Sequence, residues 1–83
     1  MGALQKLPNI GKVAESLLME VGIHSPEELF SIGSKEAFLR IRLKDQTACL
    51  HMLYGLEGAV QGIPDTELSE ETKQELKDFY KTL

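Results

Sequence analysis

Apolar residues recur at spacings of three and four along nearly the whole chain, the signature of helices with one buried face. Val13, Ala14, Leu17, Leu18 and Val21 predict a first helix from Gly11 to Glu20, closed by Gly22. Ser25-Pro26-Glu27-Glu28 is a helix start: Ser25 caps, Pro26 suits the first helical position, and Glu28 returns the capping-box bond. That short second helix carries Leu29, Phe30 and Ile32 and stops at Gly33, and Ser34 caps a third through Ala37, Phe38 and Ile41. Leu39 to Lys44 alternates apolar and basic residues as a strand would. With no partner strand elsewhere, it reads as a helix end running into a connection.

The longest helix is expected from about Gln46 to Gln61, opened by Asp45 or Thr47. Cys49, Met52, Leu53, Leu56 and Val60 form one stripe, with Leu50 and Tyr54 beside it, while Ala48, Gly55, Gly58, Ala59 and Gly62 form a side of small residues. Interior glycines cost about 1 kcal/mol each relative to alanine, so such a helix belongs at the centre with close neighbours. The small side fits close packing within the chain or a back-to-back homodimer. Pro64-Asp65 ends the helix, and Ser69-Glu70-Glu71 opens an acidic-first, lysine-later helix with Leu76, Phe79, Tyr80 and Leu83 for packing. The expected fold is all-α: one compact five-helix domain over residues 1–83, with residues 1–6 as a loose N-terminal segment.

The chain has 83 residues, 42% hydrophobic and 27% charged, which suits one small core rather than disorder. Its single cysteine, Cys49, has no partner for an internal disulfide and reads as a small core residue in a reducing compartment. No apolar run approaches the roughly 18 residues of a membrane span, and no signal peptide is evident, so a cytoplasmic protein without membrane contact is expected. The net charge of −4 divides unevenly: residues 1–44 carry +1 and residues 45–83 carry −5. An acidic chain lacks the positive field of an avid nucleic-acid binder, so phosphate recognition, if present, is local and weak.

Leu7-Pro8-Asn9-Ile10-Gly11-Lys12 is the segment with the most chemistry. Proline and Asn-x-Gly impose a tight turn immediately before a helix. Backbone amides at Ile10, Gly11 and Lys12 then lie at the positive end of that helix, with Asn9 shaping the turn and Lys12 adding a charge, an arrangement suited to a phosphate or carboxylate. A plain turn whose amides face water is the simpler use of the same residues, and docking of another chain is a third. Lys6, Arg40, Arg42 and Lys44 are the candidate supporting cations, against a plainer reading as solvated charges, which helix C-termini favour.

Enzymatic chemistry has little to stand on. Cys49 and His51 are two apart on a helix and point to different sides, His24 has no ligand at metal spacing, and no phosphate loop, dinucleotide fingerprint or nucleophile elbow occurs. No catalytic residue, metal or cofactor is therefore expected. Glu57, a lone carboxylate on an apolar helix, is expected to pair with Arg40, Arg42 or amides at another helix start; a catalytic acid is the rival, separable by Glu57→Gln.

Leu7-Pro8-Asn9-Ile10-Gly11 with Ala14 resembles the helix-hairpin-helix motif, with Asn9 where the common form has glycine, and Ser31-Ile32-Gly33-Ser34 before Ala37 is a degenerate echo of it. Together with Glu20-Val21-Gly22-Ile23, Glu28-Leu29 and Leu53-Tyr54-Gly55-Leu56-Glu57-Gly58-Ala59 before Gly62, the chain resembles the C-terminal domain of the TfoX/Sxy competence-regulator family, from Leu7 to the last helix. That resemblance implies a bacterial, helix-hairpin-helix-like domain related to competence and transcription regulation. The resemblance is to the family's C-terminal domain and does not extend to its usual N-terminal one, and the tryptophan often found shortly after the glycine matching Gly62 is absent. The functional expectation is a non-enzymatic binding domain: weak, sequence-independent DNA-backbone binding through Asn9, Ile10, Gly11 and Lys12, or else protein–protein interaction in a regulatory complex without nucleic acid.

Overall fold

Ser25 and Ser69 act as their positions predict. Ser25 Oγ accepts the Glu28 amide at 3.2 Å while Glu28 Oε1 accepts the His24 amide at 2.6 Å, and Ser69 Oγ accepts the Thr72 amide at 3.0 Å. In the computed structural model, which describes residues 2–83, these caps open two of four α-helices: α1 (Lys12–Glu20), α2 (Pro26–Lys44), α3 (Leu50–Gln61) and α4 (Glu70–Lys81). Two 3-10 turns, Ala3–Lys6 and Asp65–Glu67, complete the order, and there is no strand among the described residues.

The expected second and third helices follow one another without a connecting loop as α2, with a kink at the boundary the sequence places between them. Gly33 marks the junction: with φ 83° and ψ 166° it breaks the helical path inside α2, a backbone conformation that a β-carbon disfavours. Leu39 to Lys44 is helical, as read. The long helix begins at Leu50, not near Gln46, because Asp45 serves a turn instead of a helix cap: its Oδ1 accepts both the amide and the hydroxyl of Thr47. Those two bonds, the hydroxyl's first, hold the Asp45 carboxyl below its usual range.

α3 lies at the centre, packed against α2, α4 and the second 3-10 turn. Leu53 and Leu56 of α3 meet Leu29, Phe38 and Ile41 of α2, Leu18 of α1 and Leu76 of α4 in one buried cluster. Phe38 and Tyr80 tilt against each other, with ring centroids 6.0 Å apart. Residues 1–6, expected to be loose, are tied in from Ala3 onward: Leu4 in the first 3-10 turn is fully buried, and Gln5 Nε2 donates to Glu15 Oε1 at 2.6 Å. That bond satisfies Glu15, which is buried on α1, whereas Val13, assigned to the apolar stripe of the same helix, is 72% exposed. No helix among the described residues is long and apolar enough to cross a membrane.

Candidate binding groove at the hairpin

The turn before α1 is fixed by a side chain that reaches far along the sequence. Asn9 sits at φ 69°, a left-handed conformation that asparagine tolerates better than most residues. Its Nδ2 donates to the Gly55 carbonyl at 3.2 Å and the Ile63 carbonyl at 3.1 Å, and its Oδ1 accepts the Asp65 amide at 3.1 Å. One amide thus clasps the hairpin to the body of α3, to its end, and to the turn beyond. Gly55 and Gly58, on the side of small residues, make room for this contact. A β-carbon on Gly58 would lie 2.5 Å from Asn9 Nδ2 and 2.7 Å from the Ile63 carbonyl oxygen, and one on Gly55 would touch Asn9 Cβ at 3.5 Å. Gly55 and Gly58 are buried within the chain and present no free face for a back-to-back dimer.

The Asn9 amide group is thus engaged by α3 and the turn beyond although the residue itself stays exposed, and the residues after it meet solvent unevenly. Ile10 is buried, and its amide donates to the Leu7 carbonyl at 3.4 Å, which engages one of the three amides expected to face an anion. Gly11 has an ordinary extended backbone, and a β-carbon there would meet nothing within 4 Å. No side chain caps α1, so the helix starts bare behind Gly11, and Lys12 is exposed with no ion pair among the described residues.

Facing this start across a groove is the start of α3, also without a side-chain cap, where Cys49 is the N-cap residue. Cys49 is exposed, not a core residue as expected, because α3 opens after it and not before. The groove between the two helix starts encloses about 620 Å³ and is walled mainly by Ile10, Val13, Ala14, Met52 and Leu56. His51 and Asp65 stand on its rim with Nε2 and Oδ2 3.6 Å apart.

Of the candidate cations only Lys12 borders the groove. Arg40 Nε donates to Glu36 Oε2 at 3.1 Å, one turn away on α2. Arg42 Nη1 donates to the Ala48 carbonyl at 3.0 Å, with its guanidinium 5.1 Å from the centre of the Tyr80 ring. Lys6 ends the first 3-10 turn and Lys44 ends α2, both exposed. None of Lys6, Arg40, Arg42 and Lys44 lines the groove.

Glu57 does not pair with an arginine. Its Oε1 accepts the buried Ser34 hydroxyl at 2.6 Å and its Oε2 accepts Gln61 Nε2 at 2.6 Å, beside a smaller cavity of about 330 Å³ bordered by Lys35, Thr72 and Glu75. Lys35 spans that cavity's edge to Glu75 at 2.7 Å, so the carboxylate belongs to a polar seam joining α2, α3 and α4. Among the described residues no three His, Cys, Asp or Glu side chains are placed to hold a metal ion. Sequence reasoning missed the destination of Asn9. The available signal was Gly55 and Gly58, three apart on one helix face, which require something close against them.

The family model of the TfoX C-terminal domain matches residues 1–80. Protein Sxy of Escherichia coli (strain K12) is 35% identical over 80 residues, 96% of this chain, and the chain spans 38% of that protein's length. Among solved structures, an uncharacterized protein from Listeria monocytogenes in a triclinic crystal form matches with a TM-score of 0.94 at 54% identity, over 95% of this chain and 90% of that one. A protein of unknown function from the same organism, in a tetragonal form, matches with a TM-score of 0.92, also at 54% identity, over 94% and 96% of the two chains.

Proposed function

Since the chain belongs to the TfoX C-terminal domain family, we propose that it is a non-enzymatic, cytoplasmic binding domain of a regulatory protein, and that the groove beside the hairpin is where it docks another protein. The observation that carries this reading is the character of the groove: an open, mostly apolar trough with Val13 standing 72% exposed at its wall and Lys12 as its one fixed cation. Apolar surface left open on a small domain is characteristic of contact sites. Similarity to Protein Sxy supports a regulatory setting for the domain. The closed Ser34–Glu57–Gln61 network supports a structural rather than catalytic use of Glu57.

A second reading, a helix-hairpin-helix-like grip on the DNA backbone, is favoured by the open Gly11 and the uncapped first turn of α1. Its weakness is charge. With Arg40 and Arg42 engaged elsewhere, Lys12 supplies about one phosphate contact, and one contact changes affinity only roughly 3–4-fold between 50 and 200 mM salt. Fluorescence anisotropy with labelled duplex DNA at two salt concentrations separates the readings, with a Gly11→Val, Lys12→Glu variant checked for folding by circular dichroism. Protein docking predicts no salt-steep association. A slope of about −3 or steeper, lost in the folded variant, would establish the DNA reading instead.

A further inference from the structure

We draw no further inference here: the strongest candidate, the apolar groove between the starts of α1 and α3, belongs to the site already described, and nothing in the structure shows what covers it.

Discussion

Gly58→Ala is the substitution on which helix propensity and tertiary packing disagree most. Within a helix, alanine is favoured over glycine by about 1 kcal/mol, so α3 taken alone would gain. In the folded chain the new methyl would stand 2.5 Å from Asn9 Nδ2 and 2.7 Å from the Ile63 carbonyl oxygen, with the Asp65 Cα at 3.4 Å. Two of these neighbours are backbone and do not swing aside. Relief therefore requires Asn9 to withdraw, which gives up its bonds to Gly55, Ile63 and Asp65, each worth about 1 kcal/mol. Residual crowding against the backbone costs about 1 kcal/mol more. The opposing effects leave a net destabilisation of about 2–3 kcal/mol, out of a total of roughly 4–12 kcal/mol for a domain of this size. Urea unfolding followed by circular dichroism should show a clearly lower midpoint, and thermal unfolding a fall of about 10–20 °C. Gly11→Ala is the internal control: its β-carbon meets nothing within 4 Å, so its effect should stay within about 0.5 kcal/mol. A Gly58→Ala domain as stable as the parent, or more stable, would refute the clasp.

Two other perturbations probe the remaining polar contacts. Glu57→Ala strands the buried Ser34 hydroxyl and should cost about 1–3 kcal/mol in urea unfolding, while Glu57→Gln, which keeps an acceptor oxygen for Ser34, should cost about 1 kcal/mol or less. The Asp45 carboxyl is held below its usual value of 3.8 by the Thr47 hydroxyl and amide, so its contribution is complete above that value and is lost as pH falls through the lowered folded value. The stability difference between the parent and Asp45→Asn should accordingly be constant near neutrality and shrink only in acid below about pH 4; a difference that shrinks between pH 5 and 7 would contradict the assignment.

The elements legible in the sequence were those specified by neighbours along the chain. Ser25-Pro26 and Ser69 announced their helices because a cap and the amide it accepts lie three residues apart. Leu53, Leu56, Phe38 and Leu76 fell in the core as their spacing required. What escaped was set by distant partners. Asn9 signalled a turn correctly, yet its hydrogen bonds go to residues 46 to 56 positions away, which no local pattern encodes. Glu15 is buried beneath Gln5, ten positions earlier, and Val13 of the predicted apolar stripe is exposed, a placement the spacing alone does not give. Asp45 and Thr47 each suit a helix start, but their mutual hydrogen bonds stabilise a turn, which moves the start of α3 to Leu50 and exposes Cys49. The candidate cations were legible only as charges: Arg42 finds the Ala48 carbonyl and the Tyr80 ring, partners that its place in an alternating apolar-basic run does not announce.

Asn9 builds the hairpin face by tying it to α3 and the turn beyond. Asn9→Gly isolates that role, since glycine accepts the φ of 69° and only the side chain is lost. Native-state hydrogen exchange, read amide by amide, is the direct measurement. In the Asn9→Gly domain the Asp65 amide, which donates to Asn9 Oδ1, should lose protection together with the Ile10 and Ile63 amides at the two ends of the clasp, while Leu53 and Leu56 keep theirs relative to global unfolding. Unchanged protection at Asp65 and Ile63 in the Asn9→Gly domain would contradict it.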